Sequence, residues 1–223
     1  MRREVSYYIR EKKRTASNEL AHVLKKCIGQ IDRPWKEIII LCIGSDRITG
    51  DSLGPLIGQQ LSRHRWKNIH IYGTLDTPVH ALNLEAVLAD IKKRHPSALI
   101  LAVDALAARR LSRLMCTIQM TDTGIVPGSG VGNARTALTQ TALGVPVLSI
   151  GVPTVVDGAT LAADIAQQSG AQCEALDDLN TPVLVTTRDV DQQTADAARV
   201  IGYGINLFLH PSLDIADMEL FLS

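Results

Sequence analysis

Cysteine is scarce in this chain, and the few present stand apart. Cys27, Cys42, Cys116 and Cys173 are the four among 223 residues, and none forms a C-x-x-C pair. That spacing argues against a zinc site or a redox dithiol and suits a reducing compartment. An excess of one charge is also lacking, since 23 Lys and Arg face 23 Asp and Glu. The balance gives no reason to expect direct binding to nucleic acid. No apolar run approaches the roughly 18 residues that span a membrane. The start, with Arg2, Arg3 and Glu4, has no apolar signal core. These absences lead to the expectation of a cytoplasmic protein without membrane contact. There is no internal repeat and no low-complexity stretch.

What is present is apolar patterning. At 46% hydrophobic and 21% charged residues, the chain can bury the core of one globular domain. Charge is uneven at the start, where residues 1–34 hold nine Lys/Arg against four Asp/Glu. Within this basic segment Leu20, Val23, Leu24, Cys27, Ile28 and Ile31 recur at helical spacing, with Ser17 or Asn18 placed to cap the helix. We therefore divide the chain into a basic amphipathic helical segment, 1–34, and an α/β domain, 35–223.

From Trp35 strand and helix patterns alternate. Strands are expected at 37–43, 69–74, 98–104, 116–121, 145–151 and 183–186. Helices are expected at 52–64, 82–93 and 189–209, with a short helical stretch after Asp104. A further helix, capped by Asp157, runs toward Gly170. This alternation implies a mainly parallel sheet in a single domain, with helices on both faces.

Two of these strands run into carboxylates. Ile38–Ile43 leads into the loop Gly44–Asp51, and Ala98–Val103 leads into Asp104. The 53 residues separating Asp51 from Asp104 accommodate helix, strand, helix and strand, which places both acids at carboxyl ends of strands in one sheet. Ligands bind at that edge in open α/β sheets. Asp51 also lies at a helix N-terminus, which favours its anion. Asp104 ends an apolar strand, where desolvation raises a carboxyl pKa. Two nearby carboxylates in diverging environments suit acid/base work on water. The plainer alternative is that Asp51 caps its helix and Asp104 bonds a loop.

Other motifs are weaker. Asp46, Asp76 and Asp122 lie in loops, and Asp51, Asp76 and His80 could together supply the mixed oxygen and nitrogen ligands of a metal site. The six histidines show no H-E-x-x-H spacing, so His80 reads more simply as a loop hydrogen-bonder. The stretch Gly124–Asn133 is neither a Walker loop nor a G-x-G-x-x-G fingerprint. Ser129 also lacks the nucleophile-elbow context. Its glycines would let backbone N–H groups approach a substrate peptide, or would merely serve a tight turn.

Several blocks together resemble the spore germination protease family: Asp104-Ala-Leu-Ala-Ala-Arg109, Thr121-Asp-Thr-Gly-Ile125, Pro127-Gly-Ser-Gly-Val-Gly-Asn133, Ile150-Gly-Val-Pro-Thr-Val-Val-Asp157 and Val200-Ile-Gly-Tyr-Gly-Ile-Asn-Leu207. The earlier blocks Cys42–Arg47, Thr49–Leu56 and Tyr72–Leu84 look more like the related sporulation family YyaC. The resemblance implies a core like that of the hydrogenase-maturation peptidases, with a phosphorylase/hydrolase-like fold. It also implies an atypical aspartic peptidase that degrades small acid-soluble spore proteins during germination, inside the spore core or forespore. Its two catalytic aspartates match Asp51 and Asp104. Gly128, Ser129, Gly130, Gly132 and Asn133, with Asp76 and His80, are then the candidate substrate-binding residues. No cofactor or metal is expected. A tetrameric zymogen with a removable prosegment is the family's form. Two alternatives stand beside this reading: a catalytically silent YyaC-like sporulation protein, and a metal-dependent maturation peptidase using Asp51, Asp76 and His80.

Overall fold

The computed structural model describes residues 6–64, 67–108, 117–128, 136–170 and 183–210. In chain order the elements are β1 (Ser6–Arg10), α1 (Ala16–Gly29), β2 (Glu37–Cys42), α2 (Leu53–Ser62), β3 (Ile69–Tyr72), α3 (Leu84–Arg94), β4 (Ala98–Ala108), β5 (Thr117–Thr121), α4 (Gln140–Leu143), β6 (Val147–Asp157), α5 (Gly158–Ser169), β7 (Leu184–Val185) and α6 (Val190–Leu209). The seven strands form one sheet in the order β1-β5-β6-β4-β2-β3, with β7 pairing to β6. The ladders β2–β3, β2–β4 and β4–β6 are parallel, whereas β1–β5, β5–β6 and β6–β7 are antiparallel.

The central strands are apolar on both sides because both of their faces are covered. On β2, Ile38, Ile40 and Cys42 join the layer under α1, α2 and α6, while Ile39 and Leu41 join the layer under α3. Leu20 and Leu24 of α1 are fully buried, each contributing about 1.5–3 kcal/mol of apolar burial. Close approach of α1 to α6 depends on a missing side chain, since a Cβ at Gly204 would lie 2.8 Å from Leu20 Cδ2. Asp157 caps α5 as expected, its carboxylate accepting the Thr160 backbone N–H at 2.9 Å. Among the described residues no helix is long and apolar enough to cross a membrane.

Three local expectations are corrected. First, Ser6–Arg10, assigned to the helical segment 1–34, instead form β1, which pairs antiparallel along the whole of β5. Second, neither Ser17 nor Asn18 caps α1. The helix begins at Ala16, Thr15 precedes it without a side-chain cap bond, and Ser17 instead donates its hydroxyl to the Val200 carbonyl at 2.9 Å. Third, the chain does not turn helical after Asp104. β4 runs on to Ala108, matched residue by residue against an equally extended β6, with a bulge between Leu106 and Ala107. Pairing with a ready neighbour overrides the helix preference of an Ala/Leu run.

Candidate functional site

The site is assembled where the carboxyl end of β2 lies beside the interior of β4. Past Cys42, the Ile43 N–H donates to the Val103 carbonyl at 2.7 Å and the Gly44 N–H to the Val79 carbonyl at 2.8 Å. The chain then loops from Gly44 to Asp51 and returns. Ser45 N–H donates to the Asp51 main-chain carbonyl at 3.0 Å, and Asp51 N–H to the Ile48 carbonyl at 3.0 Å. Gly44 makes this closure possible. Its φ is +137°, and a Cβ there would lie 2.1 Å from the Asp51 carbonyl oxygen. Gly50 rests against Thr154 of β6, within 3.3 Å of where its Cβ would stand. Asp51 is thereby held just before α2, half-buried between β2 and β6.

Asp104 lies within β4, not at its end. It follows Ala98, Ile100 and Ala102 on the α3 side of the strand and pairs with Gly151 of β6. Its side chain is buried. Burial pushes its carboxyl well above the usual carboxylate range, and the nearby Asp51 charge pushes it further, against a partial pull from the Ala105 N–H. Burial also raises Asp51, to about 6, with the Ser45 backbone N–H pulling the other way. The two aspartates therefore sense each other in a poorly solvated corner of the sheet and hold their protons with different strength. Two carboxyls in such unequal surroundings are suited to divide acid and base roles.

The remaining candidates are dispersed. Asp46 and Asp76 are exposed, and Asp122 follows the end of β5. His80 lies in the strap joining β3 to α3. Its Nδ1 accepts the Leu82 N–H at 3.3 Å, and its own N–H donates to Asn83 Oδ1 at 2.8 Å. A depression of about 380 Å³ opens beside it, lined by Tyr72, Gly73, Pro78, His80, Asn83 and Val87 among others. Neither aspartate of the pair lines it. Gly124 and Gly128 both adopt positive φ, 79° and 73°. Ser129, Gly130, Gly132 and Asn133 lie outside the described residues.

The metal set of Asp51, Asp76 and His80 is not assembled. Among the described residues, the group of three potential ligands that does converge is Glu37, His70 and His95, at the opposite end of the sheet. Sequence reasoning passed over it because these residues lie 33 and 58 positions apart in the chain.

Comparison with known proteins gives the family. Residues 8–147 match the family described as "Protein of unknown function (DUF1256)". A germination protease of Clostridium acetobutylicum is 30% identical over 255 aligned positions, covering 96% of this chain and 77% of that protein. The chain belongs to the germination protease family. The uncharacterized protein YyaC of Bacillus subtilis is 37% identical over 127 residues, covering 57% of this chain and 60% of its own. Among solved structures, the NiFe hydrogenase maturation protease HycI of Thermococcus kodakarensis aligns with a TM-score of 0.44 and 15% identity, over 82% of this chain and 99% of HycI.

Proposed function

We propose that this peptidase of the germination protease family is an endopeptidase that hydrolyses small acid-soluble spore proteins during germination, with Asp51 and Asp104 as its acid/base pair. The observation that carries the proposal is the coupled, buried carboxyl pair. Asp51, near 6, is largely ionised at neutral pH and takes a proton from water as the water oxygen attacks the scissile carbonyl. Asp104, held protonated by burial and by the Asp51 charge, donates its proton to the leaving amide nitrogen as the C–N bond breaks. The proton accepted by Asp51 then restores Asp104 through solvent, and the pair is reset. The glycine-rich segment that begins at Gly124 and includes Gly128 would border the substrate, together with the Asp76–His80 strap. A homo-oligomer acting in the spore core belongs to the same proposal.

The test incubates the purified protein, Asp51→Asn and Asp104→Asn with an acid-soluble spore protein and follows cleavage by mass spectrometry. Loss of either group of a general acid/base pair should lower kcat by about 10²–10⁴-fold. Equal cleavage by all three proteins would sink the dyad. An intact fold with no cleavage by the unaltered chain would favour the silent, YyaC-like reading.

A further inference from the structure

We propose that Glu37, His70 and His95 form a second site, one that binds a divalent transition cation of zinc type at the amino-terminal end of the sheet, remote from the aspartate pair. Three elements meet there. Glu37 opens β2, His70 is the second residue of β3, and His95 follows the last turn of α3. The parallel register sets Ile38 beside Ile69 and Ile39 beside His70, so Glu37 and His70 emerge on the same face, toward α3.

The donor atoms already converge. Glu37 Oε2 lies 3.0 Å from His70 Nε2 and 2.8 Å from His95 Nδ1, and all three donors fall within 4.8 Å of one another. The two imidazole rings sit with centroids 4.2 Å apart. A tetrahedral zinc ion with bonds of about 2.0–2.1 Å needs ligand atoms about 3.3 Å apart. The present contacts therefore have to open by only a few tenths of an ångström. Two imidazoles and one carboxylate are a donor set suited to zinc and its neighbours in the first transition row.

A hydrogen-bonded clasp and a cation site differ here in the placement of two protons. In the clasp, each ring nitrogen facing Glu37 carries its proton. With a cation in the middle, each ring carries its proton on the other nitrogen, and no proton is gained or lost. For His95 that other nitrogen, Nε2, lies 3.2 Å from the Tyr72 hydroxyl oxygen. Tyr72 is thus positioned to accept the displaced N–H and to fix the ring, the role an outer partner plays for a metal-bound histidine. The side chains of His95 and Glu37 are 10% and 21% exposed, whereas that of His70 is 42% exposed. Two ligands are fixed by packing, and the third faces the route by which a cation and its water enter. The neighbouring cation Arg94 is paired with Asp90 at 2.8 Å, so the Glu37 carboxylate is shared only with the two rings that would join it as ligands.

Bound there, a cation would tie β2, β3 and α3 together. The five residue steps from Glu37 to Cys42 put it about 17 Å from the catalytic edge, so it would act on stability without touching the reacting groups.

The experiment strips the untagged full chain with a chelator and titrates it with Co²⁺ by absorption spectroscopy and with Zn²⁺ by calorimetry. One equivalent should bind, Co²⁺ should show the ligand-field bands of nitrogen and oxygen ligation, and Zn²⁺ should raise Tm. His70→Ala and His95→Ala should each weaken binding by at least about 100-fold, and Tyr72→Phe by about 10-fold. His22→Ala, on the exposed face of α1, should leave binding unchanged. Should His95→Ala fail to fold, the half-exposed His70 still decides the matter. Absence of saturable binding to the stripped chain, or binding that His70→Ala leaves intact, overturns the site.

Discussion

Replacing Asp51 by Asn should stabilise the protein while lowering kcat by about 10²–10⁴-fold. In the folded chain the Asp51 carboxyl is raised from its ordinary 3.8 to about 6. Between those two values the folded state holds a proton that the unfolded chain has released, so stability falls as pH rises. The penalty is absent below about pH 3.8, grows through about pH 6 and is constant above it. At 1.36 kcal/mol for each tenfold change in proton affinity it reaches about 3 kcal/mol. The anion's position before α2 returns part of this, about 0.3–1 kcal/mol, and Asn forfeits that part. Asn has no charge to desolvate. The expected gain for Asp51→Asn is therefore about 2–3 kcal/mol at neutral pH, or about 5–10 °C in Tm for a chain of this size. Urea unfolding followed by circular dichroism, from about pH 4 to about pH 8, measures it through the midpoint at constant m. The difference from wild type should shrink to nothing at the acid end. A variant less stable than wild type at pH 7, or a gain that does not change with pH, would refute the assignment of a buried, charge-penalised carboxyl to Asp51.

Further outcomes follow from the same geometry. The value of kcat/KM on an acid-soluble spore protein should climb with pH and level off above about 6, because Asp51 must be ionised to act as base; an acid limb near pH 4 would count against it. Gly73→Ala should cost about 3 kcal/mol or more in calorimetric stability. Its φ is +88° and the new Cβ would lie 1.8 Å from the Cys42 carbonyl oxygen, so left-handed strain of about 1–2 kcal/mol adds to a backbone displacement. Leu24→Ala, at a fully buried contact of α1, should lose about 2–5 kcal/mol in urea unfolding. Asp157→Ala removes the acceptor of the Thr160 N–H and should lose about 1 kcal/mol by the same measurement.

How legible the fold was depended on whether a segment's pattern is set by the segment itself. Residues 38–43 are apolar on both faces, with β-branched Ile38, Ile39, Ile40 and Ile43, because both faces are covered, and the strand they form could be read directly. The helix starting at Asp157 carries its own cap. β1 has no such signature: Ser6–Arg10 shows one buried position, Ile9, between exposed or half-exposed ones, and only its partner β5 makes it a strand. The same holds after Asp104, where Ala105–Ala108 has the composition of a helix. It is a strand because β6 stays extended beside it as far as Asp157. Local propensity is worth tenths of a kcal/mol per residue, and a ready ladder outweighs it.

That extension changes the chemistry assigned to Asp104. A carboxylate at the last residue of an apolar strand is partly desolvated, with water still open to it on one side. One within a strand that continues for four more residues to Ala108 has paired backbone on both sides and loses that water. Sequence pattern pointed to Asp104 and Asp51 as neighbours and to desolvation as the cause of a raised pKa, but placed Asp104 at a strand end. The continued pairing with β6 is what makes the desolvation nearly complete. In the proposed mechanism the deeper burial strengthens the assignment of Asp104 as the acid and Asp51 as the base. Exchanging the environments tests this. Opening the β4–β6 ladder with Val155→Pro, next to the bulge, should hydrate Asp104 and lower its proton affinity. The alkaline limb of the pH–rate profile should then move to lower pH while the acid limb set by Asp51 stays near 6. Movement of the acid limb instead would assign the base to Asp104 and reverse the two roles.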